Sequence, residues 1–365
     1  MKKEWLVKTL ALGVVVLFIC MNVNPSLAVD NIEKSSMSIS NGNTLYVGGS
    51  GPGNYSRIQE AIDNSNDGDT VFVYDDSSPY YENILISTPL TLRGEQKTST
   101  IIKGEVNIYT HGVTLTGFTI EDSRGVRIIG PGLNGTGTEE SPNIIDGNII
   151  RNVSAGVTVW VAGKTVGYFI ISNNIIYTGA MGIQIFGKNN TVFGNTISFI
   201  NNSVLHVGIS SLGDFNNISY NTVSGADKAI LITRSLMTII CRNNIIDNPG
   251  FGVYLQISSG GDMILQNNFM NNGENAHISF RLLTAFWAKY RNIYGQEHPI
   301  ILSVWDGNYW DEPRSEPYPI DGFFYIHGIF IRLLTLLHIN IFDFKNFQRF
   351  DMHPAQEPYD IPDIS

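Results

Sequence analysis

Glu121 and Asp122 are adjacent carboxylates with Arg124 beside them, the nearest this sequence comes to an acid pair. At a chain corner two such groups would hold calcium or share a proton; as ordinary turn residues they would be solvated. Glycoside hydrolysis needs two carboxyls about 5–10 Å apart across the scissile bond, so where these side chains point decides the matter. A second acidic set, Asp63, Ser65, Asp67 and Gly68, follows the opening of a calcium loop. Its twelfth position, however, is Tyr74 where that loop needs a bidentate glutamate, and a structural turn is expected. The seven histidines (His111, His206, His277, His298, His327, His338 and His353) are dispersed, and no Met-x-Met pair accompanies them. Copper favours imidazole and sulfur donors held close together. His327, His338 and His353 would have to converge in the C-terminal region, and their spacing does not require it. Calcium and copper stay open as ligands without support, no cofactor or metal ligand is expected, and the balance is against an enzyme. A lyase using a lone arginine base such as Arg127 is the remaining catalytic route.

The elements that must position these residues are visible as a repeat. Asparagine followed two residues later by an apolar side chain recurs at Asn148/Ile150, Asn174/Ile176, Asn195/Ile197, Asn221/Val223, Asn244/Ile246 and Asn268/Met270. A small residue followed by an apolar one recurs between them, at Gly125-Val126, Gly156-Val157, Gly182-Ile183, Gly208-Ile209, Ala229-Ile230 and Gly252-Val253. The step is too short for a strand–helix–strand unit of about 30 residues or more, and no helical period fills it. Short strands separated by Asn and Gly corners remain, since these residues tolerate left-handed backbone. Stacked about 4.8 Å apart, such units pair every backbone group with the coil above or below, and corner asparagines can form an amide ladder. The fold class is all-β: a single-stranded right-handed parallel β-helix of roughly eight to ten coils. Its open ends need covers. YSRIQEAIDN supplies an N-terminal capping helix with Ile58, Ala61 and Ile62 on one face, and an irregular aromatic region supplies the C-terminal cap.

That register sorts the outward side chains, because alternate residues of a strand face opposite ways. After the small-residue mark one outward row reads Arg127, Thr158, Gln184, Ser210, Leu231 and Tyr254, and a second reads Ile129, Trp160, Phe186, Leu212, Thr233 and Gln256. Neither holds a carboxylate. After the asparagine corner the row reads Arg151, Tyr177, Ser198, Ser224, Asp247 and Asn271, with one acid. Trp160 and Phe186 fall at equivalent places in successive coils, so they should stack about 5 Å apart. With Arg127, Thr158, Gln184 and Tyr254 they are the candidate ligand-binding residues, suited to the apolar faces of sugar rings. The competing expectation is that the Gly130–Pro142 insertion folds over Trp160 and Phe186 and makes them core.

Only 15% of the 365 residues are charged and 36 are glycine, which suits a turn-rich β protein. The start, MKKEWLVK followed by an apolar run and Ser26-Leu27-Ala28, has the form of a secretory signal cleaved after Ala28, with an uncleaved anchor as the alternative. Removing Lys2, Lys3, Lys8 and Glu4 takes the net charge from −10 to −12, a poor match for nucleic acid or anionic lipid. Cys241 is then alone, so stability must come from the ladder and not from disulfides. The expected organisation is a signal peptide over 1–28, a polar linker over 29–42, the β-helix over 43–280 and a cap region with an insertion over 281–365. Within that region Arg281–Gln296 is an insertion that can be helical. Gly322–Phe342 is apolar enough to suggest a span, but it contains His327, Arg332 and His338, and a packed cap is favoured. A secreted or cell-surface monomer, with no span in the mature chain, follows from these readings.

The stretches YSRIQEAIDN, DGDTVFV, YYENILI and PLTLRGE resemble the opening of pectin-lyase-like and NosD-like right-handed parallel β-helix proteins. DGNYWDE, EPYPIDG and FDMHPAQEPYDI are similar to secreted NosD-type repeat proteins of archaea, so the resemblance covers roughly Asn43 to Ile361. It implies carbohydrate-binding and sugar-hydrolase relatives, and a periplasmic copper accessory role for the founding member. No catalytic motif of pectate lyases, polygalacturonases or pectin esterases carries over to these residues. The expected function is an exported, non-catalytic surface or carbohydrate-binding protein. A polysaccharide lyase or hydrolase and a copper accessory protein are the alternatives.

Overall fold

The computed structural model describes residues 42–130, 137–161, 167–200, 205–257, 261–281, 303–325 and 347–362. Their strands form a parallel β-solenoid with three walls. The first wall is an eleven-stranded parallel sheet running from Thr44–Val47 to Val304–Asp306. The second begins at Ile101–Lys103 and ends at Tyr309–Trp310, and the third begins at Ile84–Ile86 and ends at Tyr318–Tyr325. Two long strands, Ile149–Val161 and Ile175–Phe186, bend through both of the latter walls, with the register shifting between Arg151 and Ala155. Parallel pairing continues past Phe280: Val304–Asp306 extends the first wall, Tyr309–Trp310 the second and Tyr318–Tyr325 the third.

The interior is a set of stacked apolar columns. Ile102, Ile120, Ile150, Ile176, Ile197, Val223, Ile245 and Phe269 follow one another in register, each buried. Toward the C-terminal end the column widens into rings: Phe269 stacks on Trp310 at 4.4 Å and Trp310 on Tyr318 at 3.9 Å. At the other end Ile58–Asp63 is a short helix with Ile58, Ala61 and Ile62 buried. Glu82 from a neighbouring coil accepts its first N–H groups, Ile58 N–H at 2.9 Å and Gln59 N–H at 3.2 Å.

Beside the column runs a ladder of buried amides. The side-chain NH2 and the backbone N–H of Asn148 both donate to Asn174 Oδ1, and the pattern repeats through Asn195, Asn221, Asn243, Asn267 and Asn308. The expected ladder placed Asn244 and Asn268 in these last coils, and the structure corrects it to their neighbours. The residue before each ladder asparagine is left-handed, with φ of 58° at Tyr220, 52° at Arg242 and 54° at Gln266. Asn244 and Asn268 are the first strand residues after the corner, so Ile245 and Phe269 enter the core while Ile246 and Met270 face outward.

Asp351 closes the ladder. Its buried carboxylate accepts from Asn308 Nδ2 at 3.0 Å, from the backbone N–H groups of Gly307, Asn308 and His353, and from Trp310 Nε1 at 3.1 Å. The strand that carries it, Phe347–Asp351, runs antiparallel to the last strand of the third wall. The proposed insertion helix within Arg281–Gln296 and most of the apolar stretch Gly322–Phe342 lie outside the described residues, as do the signal and all of the linker but Gly42. Gly322 to Tyr325 belong to a strand.

Candidate functional site

The third wall presents two outward rows. In register, Arg127, Thr158, Gln184, Ser210, Leu231 and Tyr254 succeed one another and are followed by His277 and Asp321. The companion row runs Ile129, Trp160, then Phe186, Leu212, Thr233, Gln256 and Ser279. These placements follow from period-2 alternation between small-residue corners of constant phase. Eight positions of about 4.8 Å make the first row ~34 Å long.

Trp160 is 63% exposed, and its ring lies 6.3 Å from that of Phe186, tilted by 33°. Trp160 is therefore not core, and residues 131–136 of the Gly130–Pro142 insertion lie outside the described residues. Phe186 is half-buried beneath Trp160. Further along, Tyr254 stacks on His277 at 5.1 Å and 15°, and Lys228 Nζ sits 4.6 Å above the Tyr254 ring, a cation–π contact. His277 Nδ1 lies 2.6 Å from Glu274 Oε1. Beyond His277 a cleft of about 630 Å³ opens between Glu274, His277, Tyr318, Asp321 and Gln348.

Sequence reasoning did not pick out Lys228, Glu274, His277 or Asp321. His277 carried a usable signal, one coil after Tyr254 in the same phase. Asp321 follows it by a much longer step, across residues 282–302.

The second wall changes two readings. Its outward row is Lys103, Glu121, Arg151, Tyr177 and Ser198, reaching Ile246 and Met270 in the later coils. Asp247 and Asn271 drop out of it; both are left-handed corner residues one position on. Glu121 joins it, between two cations: Lys103 Nζ at 3.1 Å and Arg151 Nε at 2.6 Å. Asp122, left-handed at φ 57°, takes Lys103 Nζ at 3.0 Å and the side-chain amide of Asn152. Those two donors, Lys103 first, hold the Asp122 carboxyl below its usual range, and Lys103 is correspondingly raised. The nearest acid pair is thus an ion-pair network with both carboxylates engaged.

The Asp63–Gly68 turn is held by Asp69, whose buried carboxylate accepts from Asn66 N–H and Asn43 N–H, each at 2.7 Å. Asp63 itself accepts from Gln59 Nε2. Three of the described histidines, His206, His277 and His353, have separate partners, and His111 is exposed. His206 is buried against Phe199 with Asp227 4.0 Å away, and His353 pairs with Asp306 at 2.7 Å. Among the described residues no three of His, Cys, Asp and Glu gather as a metal site. They do not by themselves provide the donor set copper prefers. Of the three histidines considered for convergence, His327 and His338 lie outside the described residues.

Residues 62–315, almost the whole ladder, match the family described as "Periplasmic copper-binding protein (NosD)". The chain belongs to the NosD family. No curated protein matches this NosD-family chain. Among solved structures it is similar to one titled "Structural characterization of a mannuronic acid specific polysaccharide family 6 lyase enzyme from human gut microbiota". The likeness has 11% identity, 78% of this chain, 92% of that chain and a TM-score of 0.28, which carries no functional argument. Among the described residues of the NosD-family chain, no helix is long and apolar enough to cross a membrane.

Proposed function

We propose that this NosD-family protein is an exported, non-catalytic solenoid that binds an extended glycan along the outward face of its third wall. The observation that carries the reading is Trp160, a large ring 63% exposed and tilted against Phe186 in the next coil. Aromatic side chains supply large contact area at little entropic cost, and here Arg127, Thr158 and Gln184 stand beside them as hydrogen-bonding groups. The spacing of the coils suits a chain of linked rings laid along the axis. Export is supported by the signal-like N-terminus and by the family's periplasmic description. On a glycan array, Trp160→Ala should weaken retention of the bound polysaccharide at least about tenfold, a loss of roughly 1.4 kcal/mol. Failure of the wild-type protein to retain any glycan would sink the reading.

A second reading, copper handling, rests on the family match alone. Titration of the full chain with Cu(I) and Cu(II) tests it: stoichiometric tight uptake would favour this reading, and its absence would remove it.

A further inference from the structure

We infer that the cleft at the C-terminal end of the third wall is a subsite for a sugar ring carrying a protonated amine. The inference rests on the glycan-binding reading and specifies its ligand. The cleft continues the outward row that contains Arg127, Thr158 and Gln184, since His277 and Asp321 are its last two members. A volume of about 630 Å³ lies within the range of small-molecule sites. Three strands build it: Glu274–Arg281, Tyr318–Tyr325 and the antiparallel Phe347–Asp351.

The chemistry of the lining is one-sided. Glu274 and Asp321 are its acids, and among the described residues that line it there is no lysine or arginine. Glu274 Oε1 contacts His277 Nδ1 at 2.6 Å, and Asp321 Oδ1 accepts from Gln348 Nε2 at 2.8 Å. The second oxygen of each carboxylate has no partner among the described residues. Two of the cations nearby lie over rings: Lys228 4.6 Å over Tyr254, and Arg314 5.1 Å over Tyr318. An ammonium group brings three donors and a positive charge to these acceptors, whereas the carboxylate of a uronic acid would face like charge. Gln348 adds an amide suited to a ring hydroxyl.

The test compares binding by the full chain of glucosamine oligomers, their N-acetylated counterparts and uronic-acid oligomers of equal length, at mildly acidic pH. The glucosamine oligomer should bind at least about tenfold tighter than either alternative, with a preference that shrinks as salt rises. Glu274→Gln combined with Asp321→Asn should abolish the preference, and Trp160→Ala should weaken all three ligands alike. Glu60→Gln with Glu357→Gln, which removes the same charge from exposed sites elsewhere, should leave the preference intact. Equal loss in that control would reduce the effect to bulk attraction and overturn the subsite. Should the double variant fail to fold, Glu274→Gln alone must still cut the preference. Equal or tighter binding of the acetylated or uronic oligomers, with Trp160 still required, would overturn this inference and leave glycan binding standing. Absence of binding to all three, with other glycans retained on the array, would also overturn the subsite alone; retention of none removes both.

Discussion

Each ladder asparagine donates to the amide oxygen of the next coil, so the last, Asn308, needs an acceptor from outside the repeat. Asp351 meets that requirement, gathering N–H groups from Gly307, Asn308, Trp310 and His353 around one buried carboxylate. Asp351→Asn would set an NH2 among those donors and should cost about 1–3 kcal/mol, read as a lower urea midpoint. The exposed Asp360→Asn should stay within about 0.5 kcal/mol. Asp69 carries a pH dependence. Backbone N–H groups, that of Asn66 foremost, lower its carboxyl from the ordinary 3.8 in the folded chain. A depressed folded value means its stabilisation is complete above about pH 4 and disappears as pH falls through the folded value. Unfolding midpoints measured on acidification should therefore fall more steeply in the wild type than in Asp69→Asn; parallel curves would contradict this.

Corners, more than strands, specify the elements. A Cβ placed on Gly182 would meet Gly208 O at 2.4 Å and Ile197 Cγ2 at 2.6 Å, one of them backbone that cannot yield. Gly182→Ala should cost about 3 kcal/mol, the upper end of overpacking. Gly53, with φ of +86° and nothing within 4 Å of such a Cβ, isolates the conformational penalty alone. Gly53→Ala should cost about 1 kcal/mol, and thermal unfolding of the two variants separates steric from torsional effects. The same corners explain a register error in reading the sequence. Asn243-Asn244 and Asn267-Asn268 each offer two candidates for one amide site. The rule of an asparagine two residues before an apolar side chain holds in every coil of the ladder. What it could not show was that Arg242 and Gln266 accept left-handed φ where Gly147, Asn173 and Gly194 stand in other coils. Neighbouring coils impose that conformation through the ladder, against the preference of the residues themselves.

At the scale of the molecule, a solenoid is held by contacts between neighbouring coils, so its protection should be graded along the axis. Hydrogen exchange should be slowest in central strands such as Val207–Leu212 and faster in Thr44–Val47, paired with only one strand of the first wall. Uniform exchange along the axis would contradict this. The sequence by itself determined the period, the alternation that fills the columns, and the third-wall rows from Arg127 to Tyr254 and from Ile129 to Gln256. Those features repeat locally, and each coil states them independently. Only the tertiary structure decided which asparagine of a pair enters the ladder, that Glu121 lies between Lys103 and Arg151, and that Trp160 stays exposed. It alone placed Asp321 beside His277, across a chain step far longer than the repeat. The physical reason is common to all four: they depend on which side chain lands next to another when coils of unequal length are stacked at constant spacing, and that adjacency is set by the backbone ladder.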